Sequence, residues 1–244
     1  MISVVIPTLN AEAHLAGTLS SLVTAAVEGL VREVIVVDGG SSDRTLEIAD
    51  GAGAEMIKSD PGRGVQLRAG ANRARFPWLL FLNADTYLDA GWEREAHLHI
   101  ERVESGRRRV SAASFRFAID DEGLLPRTLE TMASLRSGLL KVPYGEQGLL
   151  ISRALYDEIG GFNPLPLMED IDLVRRLGRR RVTVLNARAV AGAHVMGDGF
   201  AGRVTRNQVC LWLSLLGVPV ATIANLYGRS STPVGAPAVG RSLP

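Results

Sequence analysis

The chain has few of the features that mark secreted or general nucleic-acid-binding proteins. Its 244 residues include one cysteine, Cys210, and carry a formal net charge of only +1. A lone cysteine within the apolar run VCLWL favours a reduced compartment and a buried thiol over a disulfide framework. So small a net charge gives no overall attraction to nucleic acid, so an anionic partner must be held by a local cluster.

Two common nucleotide-binding signatures are also absent. No G-x-G-x-x-G follows the first predicted strand, whose turn reads PTLN, and the later GRGVQLRAG has the wrong spacing. No GK[ST], the end of a Walker loop, occurs anywhere in the chain. A diphosphate ligand would therefore have to be held by a different device.

The sequence also has no uninterrupted apolar run of the length, about 20 residues, that spans a membrane. Its start, MISVVIPTLN, lacks a basic region, so it predicts a first strand rather than a signal peptide and indicates a cytoplasmic location. Residues 203–227 are apolar but interrupted by polar residues, Gly217 and Pro219, which predicts two amphipathic helices. We expect these helices to pack on the domain, on a second copy or on the inner face of the membrane, with self-association favoured.

The first hundred residues alternate β-branched runs with helical patterns. The strand candidates are ISVVIP, REVIVVD, AEMIK and WLLFL, and the first helical pattern is AEAHLAGTLSSLVTAAV. This alternation predicts an α/β fold, a mostly parallel sheet with helices on both faces. Further strands are predicted at VSAASFRFAI, GLLIS and RVTVLNA. We expect one domain at residues 1–200, a helical segment at 201–228 and a disordered tail at 229–244.

The motif GRRRV occurs twice, at residues 106–110 and 178–182. Both copies follow a predicted helix and precede a predicted strand. The arginines therefore either complement a helix C-terminal dipole, which we favour, or contact an anionic surface.

Polar residues follow three of the predicted parallel strands. The residues concerned are Pro7, Thr8, Asn10 and Glu12 after the first, Asp38 and Gly39 after the second, and Asn83 and Asp85 after WLLFL. Taken singly, each could cap a helix or form a turn. Taken together they lie at the carboxyl edge of one sheet, where open parallel sheets bind ligands. Asp85 could hold Mg²⁺ or Mn²⁺, which often takes one or two protein ligands and completes its shell with phosphates.

A second acidic group occurs in MEDIDLVRR. Glu169, Asp170 and Asp172 begin a predicted helix that ends at Leu177, and the helix dipole by itself favours acids there. Consecutive carboxylates also raise one another's pKa, which suits a general base.

These motifs, in this order, resemble family 2 glycosyltransferases over about residues 2–180. The motifs are VVIPTLN, EVIVVDGGSSDRT, GRGVQLRAG, FLNADT, PYGEQGLLISRALYDEIGGF and MEDIDLVRRL. The resemblance implies the GT-A fold and transfer of a sugar from a nucleotide diphosphate donor, with inversion, to an acceptor that the sequence does not identify. It also implies a cofactor, Mn²⁺ or Mg²⁺.

The resemblance implies a role for each motif residue. The residues that would line the nucleoside pocket are Pro7, Thr8, Asn10 and Glu12. Asp38 would hydrogen-bond the nucleobase, and Gly39 and Arg68 would lie near the nucleotide. Asp85 would be the metal ligand at the end of a D-x-D signature in which Asn83 replaces the first aspartate. Asp170 would be the general base, which Glu169 orients.

Two regions extend this expectation. His194 could be a further metal ligand, although a histidine among small residues is more often structural. Tyr144, Glu146 and Gln147 resemble an acceptor wall but could equally form a turn. Two rival functions stay open: a sugar-phosphate nucleotidyltransferase, whose glycine-rich, lysine-bearing loop is absent, and a non-catalytic nucleotide-sugar-binding protein.

Overall fold

The structure is a computed structural model that describes residues 1–119, 147–165 and 168–191, together with positions 209, 213, 218, 222 and 223. The predicted tail and the candidates Tyr144, Glu146 and His194 lie outside the described residues, as does the predicted segment 201–228 apart from those five positions. The chain divides into two compact units, Met1–Gly197 and Asp198–Pro244, and the fold and site below belong to the first.

Eight strands are described. They are β1 (Ile2–Thr8), β2 (Val31–Asp38), β3 (Glu55–Lys58), β4 (Trp78–Phe81), β5 (Thr86–Leu88), β6 (Ala112–Ile119), β7 (Leu149–Ser152) and β8 (Val182–Ala191). The described helices are α1 (Leu15–Ser20), α2 (Val23–Val27), α3 (Thr45–Gly51), α4 (Arg63–Arg73), α5 (Trp92–Glu104), α6 (Arg153–Glu158) and α7 (Glu169–Leu177). A 3-10 turn, Arg179–Arg181, precedes β8.

The strands form one sheet in the order β3-β2-β1-β4-β7-β6-β8-β5. The half β3-β2-β1-β4 is parallel throughout, whereas β7 runs antiparallel to β4 and β6. β6 and β8 pair in parallel, and β5 pairs antiparallel with β8. The predicted α/β class with a mostly parallel sheet is therefore confirmed.

Helices cover both faces of the sheet, as the sequence predicts. On β1, Ile2, Val4 and Ile6 face a core that includes Leu15 of α1 and Trp92 of α5. The alternate residue Val5 faces α4 on the other side, where a Cβ on Gly70 would come within 2.3 Å of a Val5 methyl carbon. Alternation along a strand thus gives β1 two buried faces, which explains its continuous apolar sequence.

Two local features differ from the sequence prediction. The first helical pattern is divided into α1 and α2, where Ser20 and Ser21 donate to the carbonyls of Ala16 and Thr18. Such back-bonding competes with the regular helix. Thr86, the residue directly after Asp85, begins a short strand, β5.

The parallel strands end at one edge of the sheet, which we call the carboxyl edge. There Gly39 N–H donates to the Thr8 carbonyl and Leu82 N–H donates to the Val5 carbonyl. The segments that follow β1, β2 and β4 therefore leave the sheet side by side. None of the helices within the described residues is both long and apolar enough to span a bilayer.

Candidate active site

The loops that follow β1 and β2 are joined by reciprocal hydrogen bonds. Oδ1 of Asn10 accepts from the Ser42 N–H at 2.9 Å, and Asn10 N–H donates to Oγ of Ser41 at 2.9 Å. Two residues on, Oε2 of Glu12 accepts from the Arg44 N–H at 2.9 Å. These bonds of Asn10 and Glu12 hold the two loops together at the rim of the carboxyl edge. Asn10 adopts φ of 51°, a left-handed conformation that asparagine tolerates.

Asp38 organises the second of these loops from inside. Its Oδ2 accepts from the N–H groups of Gly40 and Ser41, each at 2.9 Å, and its Oδ1 accepts from the hydroxyls of Thr8 and Ser41. Burial by itself would raise the pKa of this carboxyl, but the bonds from Ser41, Gly40 and Thr8 outweigh it and the pKa is lowered. Asp38 is therefore ionised in the folded protein and holds the turn in one shape.

Gly39 lies where the loop meets α4. A Cβ at this position would lie 3.2 Å from Nε2 of Gln66 and 3.3 Å from Cα of Pro61. The Gln66 amide is buried and donates to the carbonyls of Thr8 and Val37, both at 2.8 Å. Gly39 thus allows α4 to approach the ends of β1 and β2.

Arg63, the first residue of α4, connects the end of β4 to the start of α7. Its Nη2 donates to Oδ1 of Asn83 at 2.9 Å, and its Nε lies 2.9 Å from Oε1 of Glu169. Asn83 follows β4, and Glu169 opens α7, more than eighty residues later. One guanidinium therefore brings together two motifs that the sequence presents separately.

Glu169 is a buried carboxylate with one charged neighbour on each side. Its residue is 3% exposed, whereas the Arg63 side chain is 43% exposed. Burial raises the pKa of Glu169, the positive charge of Arg63 lowers it, and the adjacent Asp170 raises it again, with a net rise. Of the three acids in the first turn of α7, Glu169 is the buried one, and Asp170 is half-buried.

Asp170 opens on a small pocket at the carboxyl edge. The pocket holds about 30 Å³, room for one or two water molecules. Its polar lining comes from Arg63, Asn83 and Asp170, and Gly148 forms part of its wall. The apolar lining residues are Leu67, Phe81, Leu82, Leu149, Phe162 and Val174. A carboxylate and a guanidinium on such an apolar floor can orient a polar substrate and exclude bulk water from it.

Close packing fixes the approach of α4 to the segment before α7. A Cβ on Gly64 would lie 2.4 Å from the Asn163 carbonyl oxygen and 2.9 Å from that of Leu165. Asn163 also donates to Oδ2 of Asp172, which pairs with Arg176 at 2.6 Å. Asp172 is thus engaged in holding the chain that leads into α7.

Asp85 offers a carboxylate at the same edge, where its Oδ1 accepts from the Thr86 hydroxyl at 3.3 Å. The Asn83 amide oxygen accepts from Arg63. Among the described residues, no group of three or more His, Cys, Asp or Glu side chains is placed to hold a metal. A single carboxylate suits a divalent ion only where substrate phosphates supply the other ligands.

Two other predicted residues are not among those that line this pocket. Arg68 is exposed on α4 and donates to the Phe162 carbonyl at 3.3 Å. Gln147 is 1% exposed, and its amide donates to the Phe115 carbonyl at 3.1 Å.

Sequence reasoning missed Arg63, Gln66 and Ser41. Arg63 lies in the same GRGVQLRAG segment as Arg68, five residues before it. No local pattern distinguishes Gln66, because its role depends on contact with two distant strands.

Comparisons with known proteins give matches of sequence and of fold. The family model described as "Glycosyl transferase family 2" matches residues 3–165. A "PGL/p-HBAD biosynthesis glycosyltransferase" of Mycobacterium bovis is 39% identical over 95 residues, which cover 36% of this chain and 36% of that protein. A "Glucosyl-3-phosphoglycerate synthase" of Mycobacterium tuberculosis is 33% identical over 93 residues, which cover 34% of this chain and 28% of that protein. The matches thus span about a third of these relatives.

Solved structures match over more of the chain. Glucosyl-3-phosphoglycerate synthase from Mycobacterium tuberculosis, crystallised with Mn²⁺, UDP-glucose and phosphoglyceric acid, has a TM-score of 0.61 and 25% identity, covering 90% of this chain and 80% of that one. S. aureus TarS, crystallised with UDP-GlcNAc, has a TM-score of 0.57 and 20% identity, covering 78% and 58%. The fold is therefore that of the GT-A glycosyltransferases.

Proposed function

Because the chain belongs to glycosyl transferase family 2, we propose that it transfers a sugar from a nucleotide diphosphate donor to an acceptor hydroxyl, with inversion at the anomeric carbon. The observation that carries this proposal is the contact of Arg63 with both Asn83 and Glu169, together with the pocket that Arg63 and Asn83 line with Asp170. It unites a strand end suited to a donor with a helix start suited to a base.

The nucleoside part of the donor is bound at the rim formed by the loops after β1 and β2. The hydrogen bonds of Asn10, Glu12 and Asp38 hold that rim in shape before any ligand arrives. Binding then costs little loop ordering, which favours affinity. A uridine diphosphate sugar is the donor to test first, since the similar structures were crystallised with UDP-glucose and UDP-GlcNAc.

The diphosphate lies beside Asp85 and Arg63 at the end of β4. A divalent ion bound there, Mn²⁺ or Mg²⁺, would be held by Asp85 and would neutralise charge on the departing diphosphate. His194, outside the described residues, is a candidate further ligand. Arg63 supplies a positive charge of the chain's own, fixed in place by Asn83 and Glu169.

Asp170 performs the proton transfer. It removes the proton of the acceptor hydroxyl as that oxygen attacks the anomeric carbon, and the bond from this carbon to the diphosphate oxygen breaks. A single in-line displacement inverts the configuration. Glu169, beneath Asp170 in the same helical turn, keeps Arg63 and the start of α7 in position. Tyr144 and Glu146, outside the described residues, remain candidates for the acceptor side, whereas the buried amide of Gln147 donates to the Phe115 carbonyl.

The decisive experiment incubates the purified chain with UDP-glucose or UDP-GlcNAc and Mn²⁺ and measures UDP release, with Asp170→Asn as the matched variant. We expect slow hydrolysis by the wild type, stimulated by a suitable acceptor hydroxyl, and almost none by the variant. NMR of the product should show the anomeric configuration opposite to that of the donor. Donor binding without any UDP release would support the non-catalytic alternative instead.

The nucleotidyltransferase alternative is tested by giving the purified chain a nucleoside triphosphate and a sugar phosphate. That reaction consumes a nucleoside triphosphate and a sugar phosphate and releases pyrophosphate. Family membership disfavours it, and pyrophosphate release from such a mixture would revive it.

A further inference from the structure

The two GRRRV motifs, at residues 106–110 and 178–182, lie side by side in the folded chain. The first precedes β6 and the second leads into β8, and these strands pair in parallel with Ala112 opposite Val182. Parallel strands with matched starts bring the segments before them to the same edge of the sheet. Nη1 of Arg108 donates to the Thr183 hydroxyl at 2.8 Å, which fastens the first motif to the second strand.

Four arginines of these motifs are exposed. They are Arg107, Arg109, Arg179 and Arg180. Within the part of the chain that the structure describes, Arg109, Arg179 and Arg180 form no ion pair, whereas Arg107 lies 3.7 Å from Glu101. Val110, beside Arg109, is 44% exposed. We call the surface formed by these four arginines and Val110 the basic edge.

The basic edge lies at the end of the sheet opposite the candidate active site. β7 is antiparallel to both β4 and β6, so β4 and β6 run in the same direction. Asn83 follows the end of β4, whereas the basic edge precedes the start of β6. Ala113 of β6 and Leu80 of β4 both pair with Leu150 of β7, so they lie at the same level of the sheet. Val110 is three residues before Ala113 and Asn83 is three residues after Leu80, a separation of about 20 Å along the strands at ~3.3 Å per residue. The basic edge is thus too distant to contact the donor.

We propose that the basic edge docks the protein on a membrane surface that carries anionic lipid headgroups. Lys and Arg side chains near an anionic membrane surface are attracted to it, and guanidinium groups match phosphate geometry. Val110 adds an apolar side chain that can enter the boundary between headgroups and acyl chains.

The same observations disfavour nucleic acid as the partner. Neither motif includes an aromatic residue on which a base could stack. On a bilayer, the carboxyl edge would face away from the lipid. A water-soluble donor would still reach the candidate active site, so the turnover of the donor would not change.

The test is cosedimentation of the full chain with vesicles of phosphatidylcholine, alone or with about one third phosphatidylglycerol. We expect binding only to the anionic vesicles, and its loss as salt screens the charges. Two double variants divide the surface: Arg107→Gln with Arg109→Gln, and Arg179→Gln with Arg180→Gln. Each should lower the partition coefficient about thirtyfold, from about 1 kcal/mol per arginine.

The matched control is Arg94→Gln with Arg116→Gln, two exposed arginines outside the basic edge. It removes the same charge and should retain nearly all vesicle binding. Equal loss in the control, or no binding of the wild type, would overturn the proposal. Binding of a single-stranded RNA probe that depends on the basic edge, without vesicle binding, would assign the surface to nucleic acid instead. UDP release in solution should be the same for all these variants.

Discussion

Arg63 at the start of one helix pairs with Glu169 at the start of another, with Nε 2.9 Å from Oε1. The same guanidinium donates to Asn83, so a single side chain spans the strand end and the acidic helix of the candidate site. Because Glu169 is buried, the charge of Arg63 influences the pKa of Glu169. Glu169 lies next to the proposed base, Asp170.

Replacing Arg63 should change the pH dependence of turnover. The charge of Arg63 lowers the pKa of Glu169 against the effect of burial, so Arg63→Gln should raise that pKa further. At a given pH more Glu169 is then protonated, and the acid limb of the kcat/KM profile moves to higher pH. We expect kcat/KM to fall about ten- to a hundredfold at neutral pH, because a charged hydrogen bond is lost. Arg63→Lys keeps the charge and should shift the limb less; an unmoved limb in both variants would refute the coupling.

Asp170→Asn should abolish chemistry and spare binding. The amide keeps the shape of the side chain but cannot accept the acceptor proton, so kcat should fall by about two to four orders of magnitude. Calorimetry should give an unchanged Kd for UDP. Turnover near that of the wild type would transfer the base role to Glu169, since Asp172 is engaged with Arg176 and Asn163.

Donor binding should depend jointly on Asp85 and on a divalent cation. Thermal-shift titrations with UDP, with and without Mn²⁺, measure this dependence because a ligand of the folded state raises Tm. Asp85→Ala should remove the additional shift that Mn²⁺ gives. The exposed Asp157→Ala, on α6, is the control and should keep it. An Asp85→Ala protein that responds to chelator as the wild type does would exclude Asp85 as a ligand.

Asp38 should contribute to stability in a pH-dependent way. Asp38→Asn replaces one carboxylate oxygen with an NH₂ group and removes the charge, which weakens the bonds from the Gly40 and Ser41 N–H groups. We expect the free energy of unfolding to fall by about 1–3 kcal/mol. The folded pKa is lowered below the ordinary value of 3.8. The contribution is therefore complete above 3.8 and is lost as pH falls through the folded pKa. Urea unfolding should show the largest difference between the two proteins near neutral pH and a smaller one in acid; a constant difference would contradict this.

Gly64→Ala should disturb the site through packing. The new Cβ would collide with the carbonyls of Asn163 and Leu165, which are backbone and cannot move aside easily. We expect a loss of about 1–3 kcal/mol of stability and a fall in turnover as Arg63 is displaced. Gly17→Ala in α1 meets nothing within 4 Å and should be neutral or stabilising by about 0.5–1 kcal/mol. Similar Tm values for the two variants would show that α4 can shift without cost.

The sequence determined the fold class and which strand ends meet at the carboxyl edge. β-branched runs alternating with helical patterns encode strands and crossovers locally, and the polar residues that follow those strands must lie at one edge of a parallel sheet. The helix Glu169–Leu177 was predictable for the same reason, because its acidic start, basic end and apolar spacing are all local features. Family motifs added the roles expected of Asp85 and Asp170, which stay predictions.

Only the tertiary structure decided which distant residues meet. Arg63 reaches Glu169 because Gly64 lets α4 pack closely on the chain before α7, and no periodicity reports such a contact. Glu169 has a raised pKa because burial, which depends on the whole fold, outweighs the positive charge of Arg63. The two arginine motifs form one surface because β6 and β8 pair in parallel across seventy residues of chain. Strand order is set by packing between remote segments, so a local pattern can specify a strand but not its neighbour.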